Sequence, residues 1–275
     1  MSKFYRLFHV TQPFDVTNRF QTSYVLPPGV LACVRLLICV YIFTTNVYRL
    51  VRARVAGDTT QIEQHWSFFT NITYWSMGFY FLFAGFHGLV YSRRGIAPLQ
   101  TWPRILQLFH GVLWTTMCSY SLVVTIVYWG LLADASSFAN TYTSWSNISV
   151  HMMNTGFSLF EIFISRVERP PWIHLVFNVL FLACYLGLAY VTHATQNFYT
   201  YDFLDPTNGA GSLVGYIFGI FVASCVLFLV VWLLVWFREW FSTRVLRLEG
   251  KLARNHMAGE RVNYKEGTRM TENMA

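Results

Sequence analysis

Charged residues are scarce in this sequence, and their scarcity argues against an ordinary soluble protein. Asp, Glu, Lys and Arg make up 12% of the 275 residues, whereas a soluble domain carries about a quarter. Hydrophobic residues make up 55% and aromatic residues 19%, which is a composition suited to the lipid bilayer. Because each membrane-spanning helix needs roughly 20 apolar residues, the chain has room for several spans and for no soluble domain of useful size.

Several motifs of known chemistry are missing as well. The sequence has no G-x-S-x-G, H-E-x-x-H or G-x-x-x-x-G-K string, which argues against a serine-hydrolase elbow, a zinc protease and a phosphate-binding loop. No two of the eight histidines lie within five residues of each other, so the histidine boxes of di-iron enzymes are absent. The five cysteines fall in apolar stretches without a C-x-x-C pair and predict no disulfide. We therefore expect neither a metal nor a cofactor.

The sequence does contain six long apolar segments, separated by proline, glycine and arginine breakers. They predict an all-α integral membrane protein, a bundle of about six transmembrane helices in residues 1–243. Residues 244–275 are basic and polar and predict a disordered cytoplasmic tail. The predicted spans cover about 29–50, 67–91, 106–132, 146–165, 172–194 and 213–237.

The distribution of Lys and Arg predicts the orientation of this bundle. Sixteen basic residues fall in the termini and in the second and fourth loops, whereas three fall on the opposite side. The positive-inside rule then places both termini in the cytoplasm. The net charge of +7 is explained by this topology, so we expect membrane lipids and no nucleic acid as partners. An endoplasmic reticulum or other endomembrane location is the expectation, and the oligomeric state stays open.

Polar residues inside the predicted spans are the candidates for function, since an ionisable group in the membrane is costly. On this topology Thr70, His151 and His193 share the non-cytoplasmic leaflet. Each also has a purely structural interpretation, as a helix cap or as a packing histidine. Arg35 lies within the first span, near its cytoplasmic end, where it is expected to snorkel or to face the bundle.

The fourth span carries a polar stripe along one helical face, which must point into the bundle or into a wet cavity. Its simplest interpretation is interhelical hydrogen bonding. Glu161 lies about 15 Å beyond His151 along the helix, so it is not a direct partner of that histidine. It is expected to stabilise the bundle or to bind a polar head group. The stripe consists of Asn147, His151, Asn154, Ser158 and Glu161.

Two strings resemble those of a known family, the androgen-induced and androgen-dependent TFPI-regulating proteins. These are multipass membrane hydrolases of fatty acid esters of hydroxy fatty acids. Residues 66–70, WSFFT, are similar to the family string that ends in its nucleophilic threonine, and residues 147–151, NISVH, are similar to the string that ends in its essential histidine. Residues 199–204, YTYDFL, are similar as well. The resemblance covers about residues 66–205 and suits a fungal-type member.

This resemblance implies a threonine hydrolase that cleaves lipid esters, with Thr70 as the nucleophile and His151 as the general base. Thr70 and His151 are then expected within hydrogen-bond reach of each other. Asn71 and Asn147 are candidates for the oxyanion donor, and His193 for orienting the pair or binding the ester head. A non-catalytic membrane scaffold or receptor-like protein and a membrane acyltransferase are the alternatives.

Overall fold

The protein is all-α. The structure, a computed structural model, describes residues 3–248 and residue 252. Over these residues the chain forms helices and turns, and the extended pairing is a single bridge between Ser23 and Ser165. The long helices are named here α1, Pro28–Val55; α2, Phe69–Arg94; α3, Arg104–Leu132; α4, the consecutive pieces Thr141–Asn147, Ile148–Met152 and Met153–Ile164; α5, Ile173–Gln196; and α6, Ala210–Val245.

Proline and left-handed residues set the ends of these helices. Pro28 opens α1 at its first position, where a missing N–H costs nothing. Gly95, with φ of 75°, ends α2, and Asn197, with φ of 57°, ends α5. Residues that tolerate positive φ are the usual helix terminators. The breakers in the sequence therefore act as predicted.

Four helices within the described residues are long and apolar enough to cross a membrane: α1, α3, α5 and α6. This supports an integral membrane protein. Helix α2 has the length but contains three tyrosines, two threonines and three glycines, and α4 is divided into three pieces. Neither is among the four, so the number of six spans stays a prediction.

Helix α6 continues further than the sequence predicts. It runs to Val245, beyond the predicted boundary at residue 243, and Arg244 belongs to its last turn. The helix thus ends two residues beyond the predicted boundary. The rest of the predicted tail, residues 249–251 and 253–275, lies outside the described residues.

Helices α1 and α2 pack closely because small residues face the contact. A Cβ atom at Gly85 would meet the Leu36 side chain at 2.8 Å, and one at Gly78 would meet Ile42 and Phe43 at 3.0 Å. Small residues at such positions let two backbones approach inside a membrane. The main core lies between α1, α2, α3 and α4, with α6 along one side.

The predicted polar stripe of α4 faces this core. His151, Asn154, Ser158 and Glu161 are all buried, and Asn147 is half-buried. The Ser158 hydroxyl donates to the Cys118 carbonyl of α3 at 3.3 Å. The prediction that the stripe points into the bundle is confirmed.

Candidate active site

Thr70 lies in the first turn of α2, which begins at Phe69 after an extended Phe68. Its side chain lines a cavity of about 420 Å³ between α2, α3, α5 and α6. A pocket of this size matches those that hold drug-sized or larger apolar ligands. Apart from Thr70 and three tyrosines, the walls are aliphatic or phenylalanine side chains: Phe69, Val123, Val124, Val127, Leu132, Val179, Leu182, Ala183, Leu186, Phe203, Leu204, Val214, Ile217, Phe218, Ile220 and Phe221.

The cavity is reached from the apolar flank of the bundle. Val214 and Phe218 of α6 contribute to its wall and are each 64% exposed. Tyr201, Phe203 and Leu204, from the connection between α5 and α6, also line the cavity. An acyl chain in the surrounding leaflet can therefore enter sideways.

Tyr201 places a phenol beside Thr70. Its hydroxyl interacts with the side chains of Thr70 and Tyr185 and with the backbone of Phe69. Burial raises the pKa of Tyr201 well above its ordinary value, which keeps the phenol protonated and able to donate a hydrogen bond. Tyr185 donates in turn to the Ser67 carbonyl at 3.0 Å. The wall beside Thr70 thus contains two phenols.

His151 lies in a wide helical turn of α4, the π-helical piece Ile148–Met152. Its ring stacks on Tyr128, with centroids 3.4 Å apart and planes 3° apart. Its Nδ1 is 3.1 Å from the Asn147 carbonyl oxygen. Because that oxygen only accepts, Nδ1 must carry the proton, which leaves Nε2 as the basic nitrogen.

A second wide turn supplies the stacking partner. Tyr128 opens the π-helical piece Tyr128–Leu132 at the end of α3. The Thr125 hydroxyl, one turn earlier, donates to the His151 carbonyl, which joins α3 to the wide turn of α4. Such turns frequently occur at functional sites. Tyr128 also lines the cavity, so one ring contacts both the cavity and His151.

The structure does not join Thr70 to His151 directly. Both residues are described, and the expected hydrogen bond between the Thr70 hydroxyl and a His151 nitrogen is not formed. Thr70 has Tyr201 as its neighbour, whereas His151 is bonded to Asn147 and covered by Tyr128. Tyr128 is a neighbour of His151 and lines the same cavity as Thr70.

The two asparagines predicted as oxyanion donors are engaged elsewhere. Asn71 accepts from Arg49 at 2.9 Å and donates to the His65 carbonyl at 2.8 Å. Asn147 donates to the Ser137 carbonyl at 3.0 Å. Among the described residues that line the cavity, neither asparagine is present, whereas Tyr201 is.

Glu161 and His193 also lie away from Thr70. Glu161 is completely buried and accepts from Arg35 Nε at 3.0 Å and from the Tyr80 hydroxyl at 2.7 Å. This places Arg35 in the bundle interior, in agreement with the bundle-facing interpretation. His193 stacks on Tyr199, with centroids 3.8 Å apart, near the end of α5. Neither is among the described cavity-lining residues.

Sequence reasoning missed Tyr128, Tyr185 and Tyr201. Tyr201 lies in the segment 199–204 that carries part of the family resemblance, and this was the available signal. In the part of the chain that the structure describes, no group of three or more His, Cys, Asp or Glu side chains is arranged to hold a metal ion.

Comparison of the chain with protein-family models, with curated proteins and with solved structures finds no match.

Proposed function

We propose that this protein is an integral membrane carboxylic ester hydrolase that cleaves lipid esters such as fatty acid esters of hydroxy fatty acids. Thr70 is the nucleophile and His151 the general base. The observation that carries the proposal is the position of the Thr70 hydroxyl, beside a protonated phenol in the wall of an apolar cavity open to the flank of the bundle. The resemblance of residues 66–70 and 147–151 to a family of such hydrolases supports the same assignment.

In this mechanism His151 Nε2 removes the proton of the Thr70 hydroxyl as its oxygen attacks the ester carbonyl carbon. Tyr201 donates a hydrogen bond to the carbonyl oxygen as it becomes negative. The C–O bond to the alcohol then breaks, and His151 returns the proton to the departing alcohol. A water molecule, deprotonated by His151, then attacks the carbonyl carbon of the acyl-threonine. The bond to the Thr70 oxygen breaks, and His151 returns the proton to that oxygen as the fatty acid leaves.

The geometry adds one requirement to this mechanism. His151 is stacked on Tyr128 and has no hydrogen bond to Thr70, so the two catalytic side chains must come together, directly or through one water, before the proton is transferred. Active sites commonly assemble only when substrate is bound. An acyl chain that enters the cavity would contact the Tyr128 ring, which is also the stacking partner of His151.

A second candidate function is non-catalytic lipid binding. The absence of a hydrogen bond between the described residues Thr70 and His151 favours it, because the cavity can hold an acyl chain without any reaction. The polar stripe of α4 would then serve only to join α4 to α3 and α1.

Covalent labelling separates the two functions. A fluorophosphonate probe applied to the purified protein should label Thr70 in a hydrolase, and Thr70→Ala should remove both the label and the ester hydrolysis. Thr70→Ser should retain part of both, since it keeps the hydroxyl. Saturable lipid binding with no label and no hydrolysis would establish the non-catalytic function.

The orientation of the chain is part of the proposal. With sixteen basic residues on one side and three on the other, both termini are cytoplasmic and Thr70 lies near the non-cytoplasmic face of an endomembrane. A reporter fused at residue 275 should be accessible from the cytoplasm, and one inserted at Ser136 should be protected. The reverse pattern would contradict this orientation.

A further inference from the structure

A second apolar space, between α2, α3 and α5, borders the cavity that Thr70 lines. This second groove has a volume of about 420 Å³, and Phe69, Ile72, Tyr185 and Leu188 belong to its wall. Phe69 and Tyr185 also belong to the wall of the cavity beside Thr70. The two rings pack against each other, with centroids 4.8 Å apart. The groove and the cavity therefore adjoin at this pair of rings.

The second groove begins within one helical turn of the proposed nucleophile. Phe69 directly precedes Thr70 in the chain, and Thr73, three residues after Thr70, also lines the groove. Residues three apart are neighbours on the surface of a helix. The Thr73 hydroxyl is 3.1 Å from the Thr70 carbonyl oxygen. A molecule held at Thr70 can therefore extend along α2 into the groove.

The hydroxyl groups in the wall of the second groove are already used within the protein. Thr73, Ser76 and Thr116 donate to carbonyl oxygens of their own helices at 2.9, 2.8 and 3.1 Å. The phenols of Tyr120 and Tyr185 donate to backbone carbonyl oxygens as well. No charged side chain is among the described residues that line the groove. The groove thus suits a hydrocarbon chain better than a polar head group, whose desolvation nothing here would compensate.

The second groove is open to the flank of the bundle. Phe181 and Leu188 of α5 are 39% and 38% exposed, and Cys184 between them is exposed too. All three line the groove. A hydrocarbon chain in the surrounding lipid can therefore enter sideways, as at the cavity beside Thr70.

An ester with two long chains needs space on both sides of its carbonyl group. The cavity and the groove have volumes of about 420 Å³ each. This lies in the lower part of the roughly 300–1,000 Å³ range of pockets for drug-sized ligands. Neither space by itself suits both chains of such an ester, whereas the two together provide one space for each chain.

We propose that the second groove binds the hydrocarbon chain of the ester's alcohol, while the acyl chain occupies the cavity that Thr70 lines. This inference rests on the proposed function and narrows its substrates to esters of long-chain alcohols. The ester group lies beside Thr70, and the two chains diverge at the Phe69 and Tyr185 rings.

Two esters with the same acyl chain test the groove on the full chain in detergent. The palmitate ester of hydroxystearic acid has a long alcohol chain, and that of hydroxybutyric acid has a short one. Wild type should have the higher kcat/KM for the hydroxystearate ester. Leu188→Trp fills the groove and should lower the ratio of the two kcat/KM values about tenfold, the effect of excluding roughly two methylene groups from a buried site.

Leu180→Trp is the matched control for the groove. Leu180 lies on the same helix and is 50% exposed, but it lines neither the groove nor the cavity beside Thr70. The ratio of kcat/KM values should be unchanged in this variant. Both tryptophan variants must first show wild-type helix content.

Cys184 provides a second test that needs no folding of a variant core. Octyl methanethiosulfonate forms a mixed disulfide with the exposed thiol, which places an octyl chain in the groove. The ratio of kcat/KM values should fall as it does in Leu188→Trp, and dithiothreitol should restore it. Cys184→Ser protein should not respond to the reagent, although Cys33 is exposed in it as well.

The outcomes separate this inference from the function on which it rests. No hydrolysis of either ester by wild type would overturn the proposed function and this inference with it. Equal kcat/KM values for the two esters in wild type would show that the groove holds membrane lipid only. Hydrolysis whose ratio is the same in Leu188→Trp and after modification of Cys184 would overturn the inference and leave the proposed function standing.

Discussion

The Tyr128 ring lies flat on the His151 ring, 3.4 Å away, and also forms part of the wall of the cavity beside Thr70. Each of the two residues lies in a wide helical turn, Tyr128 in α3 and His151 in α4. Tyr128 thus contacts the proposed base and lines the same cavity as the proposed nucleophile.

Removing the base should slow the chemical step. His151→Ala is expected to lower kcat for ester hydrolysis by about 10² to 10⁴, the usual contribution of general base catalysis. Tyr128→Phe keeps the stacked ring and should stay within about threefold of wild type. Steady-state kinetics on a purified lipid ester measures both.

His87→Leu provides the control for removal of a buried histidine. His87 is completely buried on α2 and lies about 26 Å along the helix from Thr70. It should not affect kcat in protein that remains folded. A His151→Ala protein with wild-type kcat would remove the histidine from the mechanism.

The phenol beside Thr70 should act mainly in the transition state. Tyr201→Phe is expected to lower kcat by about 10² to 10³ with little change in KM, because an oxyanion donor is engaged only as negative charge develops. Tyr199→Phe is the matched control, since Tyr199 stacks on His193 and does not line the cavity. A Tyr201→Phe effect confined to KM would indicate that the phenol only binds the ground state.

The sequence predicts much of this fold because each feature depends on local pattern. Apolar runs give the positions of the long helices, and breakers such as Pro28 and Gly95 mark their ends. The polar stripe of α4 follows from the helical period, and its direction follows from the cost of exposing polar groups to lipid.

The site itself could not be derived in the same way. Tyr128 and His151 each lie in a turn that is wider than a regular α-helical turn. The pattern of apolar residues in the sequence gives no sign of these wide turns. Tyr201 reaches Thr70 from a connection between helices, and such placement depends on the packing of the whole bundle. Arg35 and Glu161 are 126 residues apart in sequence, so the partner of each was not visible either.

The buried pair of Arg35 and Glu161 should be important for folding. Both side chains are completely buried, and Arg35 also donates to the Phe20 carbonyl at 2.7 Å. Removing one member leaves an uncompensated buried charge, so Arg35→Leu and Glu161→Leu are each expected to cost about 3–5 kcal/mol of stability. Thermal unfolding in detergent measures the loss.

The double variant Arg35→Leu/Glu161→Leu should recover part of this loss, because it leaves no unpaired charge. Arg169→Ala is the control, since its pair with Glu239 is partly exposed and is worth about 1 kcal/mol or less. Additive losses in the double variant would show that the two residues act independently.

His65 should make the protein sensitive to mild acid. It lies in the turn before α2 and is 3% exposed, and its Nε2 accepts a hydrogen bond from Trp75 Nε1 at 2.9 Å. An indole nitrogen only donates, so the folded state requires the neutral imidazole. Burial, together with the nearby Arg49 charge, lowers the pKa of His65 to about 4.

The direction of the effect follows from the two pKa values. The unfolded chain binds the proton near pH 6.5 and the folded chain only near pH 4, so stability is constant above pH 6.5 and falls as the pH drops through this window. At pH 5 the loss is about 2 kcal/mol. His65→Gln can still accept from Trp75 and does not titrate, so the difference in melting temperature between pH 7 and pH 5 should be smaller in this variant. Other buried histidines contribute equally in wild type and in His65→Gln, so only the difference between the two proteins reports on His65. An unchanged pH dependence in His65→Gln would show that protonation of the His65 ring does not destabilise the folded state.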